Sequence, residues 1–367
     1  MKIKEIELRT IHLPLVRPFR TSFGTQTSRE VLIVKVTNEN GTAGWAECVA
    51  MSEPLYSPEY VAGCIDLIKR FLIPALIAKH EINAEDVATV LKPFLAGQMA
   101  KASLETAILD AHLRDEKVSL ASYLGATKSR VECGVSVGIA NNLDALAEEV
   151  KIYVDEGYRR IKLKIEPGWD IQAVKLIRDI YPEIPLQVDA NQAYSRSDGK
   201  HLAQLDQFNL LLIEQPLDEH DILGHALLAK EVKTPICLDE SIISLQSAQD
   251  ALALNATTVI NIKPGRVGGY FESVKIHDLC VASKIPVWCG GMLETGIGRA
   301  ANLALAALPG FTLPGDTSAS SRYFKQDITT PFVMDDGYIT VPNKPGIGVE
   351  PDLDFLESIT TSKEVIK

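Results

Sequence analysis

The chain lacks several things, and each absence removes a class of function. Its 367 residues hold six cysteines, none of them in a CxxC pair. Cys48, Cys64, Cys133, Cys237, Cys280 and Cys289 are scattered through a chain too long to need disulfides, which predicts reduced, buried thiols in the cytoplasm. No apolar run is as long as a membrane span, and the opening Met1 to Ile6 has no signal-type apolar region. Nothing basic is clustered, and a net charge of −11 opposes phosphate backbones and anionic membranes, so neither nucleic acid nor membrane is an expected partner. No His/Cys set has zinc spacing. Lys263 to Gly269 is glycine-rich without P-loop spacing. Gly296, Gly298 and Ala301 imitate a dinucleotide fingerprint, but they follow the seventh strand of a repeat series, not the first of a βαβ pair.

What is present begins with alternation. Residues 4–8, 31–36 and 42–47 alternate apolar and polar positions, with a turn at Asn38 to Gly41, and predict a three-stranded antiparallel meander. Between its first two strands, Val16 to Ser28 predicts a long loop of functional size. Helical periodicity follows over Tyr60 to Leu76 and Ala102 to Leu113. From Cys133 the period changes again. Strand candidates start near Gly134, Ile161, Leu186, Leu211, Ile236, Val259, Val287 and Thr312, with helical stretches such as Leu143–Glu156, Trp169–Ile180, Ser247–Leu254 and Gly269–Ser283 between them. Eight strands in under two hundred residues favour a closed α/β barrel over an open sheet. The expected organisation is an α+β capping domain over 1–125, completed by 325–367, and a barrel over 126–324.

Four polar side chains recur at the ends of these apolar runs. Asp189, Glu214, Asp239 and Lys263 follow one another at steps of 25, 25 and 24 residues, about the length of one βα unit. In a parallel barrel such strand ends converge on one mouth. A single Asp at a βα turn is more often a helix cap, but three carboxylates at equal register repel unless a cation lies between them. Oxygen-only ligands suit Mg²⁺, with Mn²⁺ as a substitute. Asn191 and Glu240 are placed to orient those ligands. Lys162 and Lys164 lie on one strand, which has no water face in a barrel, so both are expected to point inward and pair with the carboxylates. Lys263 lies on strand six, roughly across from strand two, so two lysines can address opposite faces of one carbon. Arg266 is either a surface charge or a second cation beside Lys263. The helix after Gly290, Gly291 and Met292 offers its N-terminus to a substrate carboxylate, and the two glycines offer close backbone approach.

Together, Lys162-x-Lys164, Asp189-x-Asn191, Ile213-Glu214-Gln215-Pro216, Asp239-Glu240-Ser241 and the strand-six Lys263 resemble the enolase superfamily, in its muconate-lactonizing-enzyme subgroup. Lys263 to Gly269 and Gly290 to Gly296 resemble the o-succinylbenzoate synthase and N-succinylamino acid racemase family within it. The resemblance covers essentially the whole chain. It implies a (β/α)₇β modified TIM barrel with an α+β cap, Mg²⁺ on Asp189, Glu214 and Asp239, and Lys164 as the base, its pKa depressed by Lys162 and the metal. The activity implied is dehydration of 2-succinyl-6-hydroxy-2,4-cyclohexadiene-1-carboxylate in menaquinone synthesis, with Lys263 stabilising the enediolate; the alternative is racemisation of N-succinylamino acids, with Lys164 and Lys263 as opposed acid and base. Gly315 to Ser318 departs from the Asp-x-Asp of dipeptide epimerases. By the same resemblance Phe19, Phe23, Met51, Tyr56, Ser136, Arg266, Gly291, Met292 and Phe324 bind a small-molecule carboxylate substrate. Proteins of this fold commonly pair, so a homo-oligomer is expected.

Overall fold

The computed structural model describes residues 1–367. Its first sheet is built from β1 (Ile3–Thr21), β2 (Gly24–Asn38) and β3 (Ala43–Cys48). Most apolar positions of these strands are buried, Ile6, Leu8 and Ile11 among them, as the alternation requires. The expected loop at Val16–Ser28 is instead the far end of the β1–β2 hairpin. Pairing breaks after Pro14, which has no N–H to donate, and resumes at Phe19 opposite Gln26, reaching Thr21 opposite Gly24. The meander also gains a fourth strand. β13 (Thr360–Ile366) pairs antiparallel with β1, giving the order β13-β1-β2-β3.

Helix Gln98–Glu116 packs on this sheet and is buried on most sides. Gly44 of β3 sits so close to it that a Cβ would lie 2.1 Å from the Ala107 carbonyl. Only glycine facing small residues permits that approach. The region expected to be one helix from Tyr60 to Leu76 is interrupted. It runs as Val61–Leu67, a π-turn at Ile68–Leu72, then Ile73–Ile77, with Pro74 unable to continue the ladder of the preceding turn.

After a short β4 (Arg130–Glu132) come seven parallel strands: β5 (Gly134–Val137), β6 (Arg160–Lys164), β7 (Leu186–Asp189), β8 (Ile213–Glu214), β9 (Ile236–Leu238), β10 (Val259–Ile262) and β11 (Val287–Cys289). They are hydrogen-bonded in sequence order, and every residue in them is buried, as parallel strands covered on both faces must be. The eighth expected strand, from Thr312, does not form as a regular strand. Residues 311–316 still bridge the gap: Asp316 N–H donates to Cys289 O at 2.9 Å, and Gly134 N–H donates to Gly315 O at 2.7 Å. Pro314 in this segment cannot donate to a ladder, which keeps the closure irregular. β12 (Tyr338–Thr340) pairs with β4 outside the barrel. Helices Leu143–Asp155, Ile171–Ile180, Leu245–Ala253 and Tyr270–Ser283 stand within a few residues of the expected stretches. The barrel interior below the mouth is closed by Leu212, Cys237, Val259 and Trp288.

Candidate active site

Strand pairing sets the register of the polar groups. Lys164 pairs with Asp189, and Asp189 with Glu214, so the C-terminal ends of β6, β7 and β8 stand level. Asp239 and Lys263 follow β9 and β10 immediately. The turns after β7 and β8 hold Asn191 (φ 42°), Gln192 (φ 69°) and Gln215 (φ 36°) in the left-handed region, which places backbone strain at the mouth.

Lys162 and Lys164 both point inward and are buried, with Leu163 between them facing the helices. Lys162 Nζ lies 3.2 Å from Asp189, 3.0 Å from Glu214 and 2.8 Å from Asp316, with the Trp288 ring beneath it at 4.7 Å. Burial opposes its charge, but those three carboxylates outweigh it and raise its pKa. Lys164 Nζ donates to Asp189 and to Asn191 Oδ1, each at 2.6 Å. Its pKa is lowered, first by burial and then, against the pull of Asp189, by the charge of Lys162. Lys263 Nζ donates to Asp239 at 2.9 Å and to the Tyr56 hydroxyl at 3.0 Å, over the Tyr56 ring. Burial lowers its pKa, yet Tyr56, Glu240 and Glu214 carry it above the usual lysine value. The two lysines therefore differ: Lys164 releases a proton more readily than Lys263.

Arg266 is no surface charge. It is buried, pairs with Asp239, reaches the Tyr56 hydroxyl at 3.2 Å, and is anchored by the Ile242 and Asn261 carbonyls. Asn191 Nδ2 donates to Glu240 at 2.9 Å, and Asn261 Nδ2 to Glu214 at 2.8 Å.

The three carboxylates do not close on one point. No group of three acidic or His/Cys side chains is arranged to enclose an ion. Buried carboxylates repel, and here the neighbouring ammonium and guanidinium groups take their oxygens: Lys162 spans Asp189 and Glu214, while Lys263 and Arg266 hold Asp239. The donor chemistry nonetheless fits a hard divalent cation. All three groups are oxygen donors at successive strand ends, and beside them Glu240 Oε2 is buried without a partner.

A cavity with about 390 Å³ of empty space, partly open to solvent, lies between the hairpin and this mouth. Phe19, Phe23, Met51, Tyr56, Gly291 and Met292 line it, together with Lys164, Asn191 and Lys263. Ser136, Arg266 and Phe324 do not. The Ser136 carbonyl accepts from Arg322 at 2.7 Å, Phe324 packs beside Tyr323, and Arg266 lies behind Tyr56. Two neighbouring features are taken up by the protein itself. The helix N-terminus at Gly296 is occupied by protein carboxylates, because Glu47 accepts from Thr295 N–H at 2.9 Å and Asp327 from Gly296 N–H at 2.8 Å. Gly290 makes room for Asn261 and Lys263, since a Cβ there would lie 2.3 Å from Asn261 Oδ1 and 2.7 Å from Lys263 Cε.

Sequence reasoning missed Thr21, Gln26, Arg29 and Leu293 on the cavity wall. It also missed Asp316, which bonds Arg160 at 2.9 Å as well as Lys162. Asp316 carried the same signal as the other carboxylates, an acid ending a short apolar run in the barrel series.

The family described as "Enolase C-terminal domain-like" matches residues 145–355, and "Mandelate racemase / muconate lactonizing enzyme, N-terminal domain" matches residues 5–125. The chain is 55% identical over 364 residues to an N-succinylamino acid racemase from Amycolatopsis sp, covering 99% of each. It is 45% identical over 366 residues to an o-succinylbenzoate synthase from Bacillus subtilis (strain 168), covering 100% of this chain and 98% of that one. A crystal structure of an enolase superfamily member from Listeria innocua Clip11262 superposes with a TM-score of 0.95 at 43% identity, over 100% of this chain and 99% of that chain.

Proposed function

The chain belongs to the enolase superfamily, and on that footing we propose that it dehydrates 2-succinyl-6-hydroxy-2,4-cyclohexadiene-1-carboxylate to o-succinylbenzoate, the menaquinone-pathway step, and racemises N-succinylamino acids in the same cavity. The observation that carries the proposal is the pair Lys164 and Lys263 on one cavity. Lys164 ends β6 and Lys263 follows β10, four places along a parallel sheet of seven strands whose ends residues 311–316 bridge, so they address a bound molecule from opposite sides. Asp189, Glu214 and Asp239 would hold Mg²⁺, which, when bound, neutralises the substrate carboxylate and acidifies the adjacent C–H. The catalytic unit is then the barrel over 126–324, with 1–125 and 325–367 forming its cap.

In this reading Lys164, with its lowered pKa, accepts the α-proton on Nζ. The C–H electron pair moves into the carboxylate, and the Lys263 ammonium, held charged beside Tyr56 and Asp239, stabilises the enediolate. In the dehydration the electrons return to expel hydroxide. Lys164 gives back its proton on the same face, water leaves and the ring becomes aromatic. In the racemisation Lys263 instead delivers a proton to the opposite face. Phe19, Phe23, Met51 and Met292 supply the apolar wall that excludes water. The second reaction is included because the two-lysine arrangement is symmetric about the carbon, and because the racemase from Amycolatopsis sp is 55% identical.

Parallel assays of purified protein with Mg²⁺ test this: loss of the diene's ultraviolet absorbance, and change in optical rotation of an N-succinylamino acid. Turnover of both is the expected result. Silence in both would remove the proposed substrates.

A further inference from the structure

Arg29 stands out among the groups lining the cavity because no carboxylate forms an ion pair or hydrogen bond with it. It lies on β2, in the cap wall, and only 2% of it is exposed to solvent. Its hydrogen bonds are two long ones from Nη2, to Val49 O at 3.3 Å and Ala50 O at 3.5 Å, and its buried Nε makes none. Lys164 and Lys263, the other cations of this cavity, each hold a carboxylate at 2.9 Å or less. Glu47, Glu294 and, more weakly, Glu30 act on Arg29 through their fields alone, and the two strongest are engaged elsewhere. Glu47 accepts from Thr295 N–H at 2.9 Å and Thr295 Oγ1–H at 2.7 Å, and Glu294 from Met292 N–H and Asn302 Nδ2–H at 2.8 and 2.9 Å. Burial, with the charge of Glu294 second, pushes the Glu47 carboxyl up to about 8, so it is largely uncharged at neutral pH.

Buried guanidinium groups are rarely left unpaired, because the lost hydration is not recovered. A planar fork facing a cavity meets its need by accepting a carboxylate in two parallel bonds. We infer that Arg29 forms an anion subsite in the cap wall that receives the carboxylate at the far end of the substrate, making the enzyme selective for dicarboxylates. This rests on the reaction proposed above, in which both substrates carry a succinyl chain. The reacting carboxylate sits at the barrel mouth and the succinyl carboxylate reaches the cap. Arg29 thus acts on binding rather than on proton transfer, so its loss raises KM and leaves kcat nearly unchanged.

The test pairs N-succinyl-phenylalanine with N-butanoyl-phenylalanine, in which a methyl group replaces the terminal carboxylate, in wild type, Arg29→Lys and Arg29→Met. Wild type is expected to favour the succinyl compound by about 100-fold in kcat/KM, the scale of a desolvated charge pair. In Arg29→Met the preference falls to a few-fold through KM, with the butanoyl compound little affected, and Arg29→Lys lies between. Equal loss on both compounds would make Arg29 a structural residue and overturn the inference, as would an unchanged preference. Should Arg29→Met fail to fold, the wild-type comparison still decides, because no preference for the succinyl compound excludes the subsite. Binding of succinate against butyrate, read by thermal shift, separates the two claims. An Arg29-dependent preference for succinate in an enzyme silent on both amino acid derivatives sinks the reaction and keeps the subsite. Turnover of both compounds without discrimination does the reverse.

Discussion

Replacing Lys162 by Met should destabilise the fold in a way that grows with pH. The wild-type ammonium lies within 3.2 Å of Asp189, Glu214 and Asp316. At an effective dielectric of about 20, each such contact is worth about 5 kcal/mol before desolvation. The net loss is smaller, because two of the acids keep another cation. Asp316 retains Arg160 at 2.9 Å, and Asp189 retains Lys164 at 2.6 Å. Glu214 retains only the Asn261 amide at 2.8 Å, and its carboxyl is already raised, by burial and then by Asp189. The cost therefore falls on Glu214 and should be about 3 kcal/mol at neutral pH, the low end for breaking a buried pair. In a chain of this size that lowers Tm by about 4 °C. Without Lys162 the folded-state pKa of Glu214 rises further, so the folded variant holds a proton the unfolded chain has released, and stability declines with rising pH. Thermal unfolding of wild type and variant, in chelator, should show a Tm gap that widens from pH 5 to pH 8. A gap below about 2 °C, or one that does not change with pH, would refute this reading of Lys162.

Glu105, buried against the N-terminus of helix Tyr270–Ser283, accepts from Tyr270 N–H and Phe271 N–H at 2.5 and 3.3 Å, and burial raises its carboxyl to about 8. Against an ordinary value of 4.5, its contribution is intact below pH 4.5 and is lost as pH rises toward 8, about 3 kcal/mol of it by pH 7. Glu105→Gln should remove that slope from a plot of Tm against pH, and parallel profiles for the two proteins would contradict it. Tyr56→Phe keeps the ring under Lys263 but deletes a hydroxyl that accepts from Lys263 and Arg266 and donates to Asp239. Steady-state kinetics should show kcat/KM reduced by about 10- to 100-fold with little change in fold, and near-wild-type activity would remove Tyr56 from the positioning of Lys263.

The barrel was legible because its strands are short apolar runs punctuated at a constant interval. Each run had to be buried on both faces, and each charged residue at its end had to leave that core at the mouth. Lys162 and Lys164 followed from the same logic, since a barrel strand gives alternate residues no exit to water. The eighth strand was harder. Pro314 interrupts it, and closure depends on two main-chain hydrogen bonds that no periodicity announces. Asp316 was legible in principle, as an acid a few residues into the run that starts at Thr312. The hairpin carrying Phe19 and Phe23 reads as a loop because Pro14 and Pro18 break its alternation, although the strands resume beyond them. Arg29 could not be found from sequence. It is one charged residue in an alternating strand, and only the packing of the cap onto the barrel leaves it buried on the cavity. The placement of Asp239 on Lys263 and Arg266, rather than turned toward Asp189 and Glu214, depends likewise on side-chain partners and not on register.

The central claim is that one group, Lys164, removes the proton in both reactions. The most direct test is Lys164→Met, assayed with Mg²⁺ for diene dehydration and, in deuterium oxide, for α-proton exchange from the N-succinylamino acid enantiomer that Lys164 faces. Both should fall by at least about 100-fold while the fold is kept, because a positioned base supplies that much. Dehydration persisting within tenfold of wild type would show that another group takes the proton, and the assignment of Lys164 would be wrong.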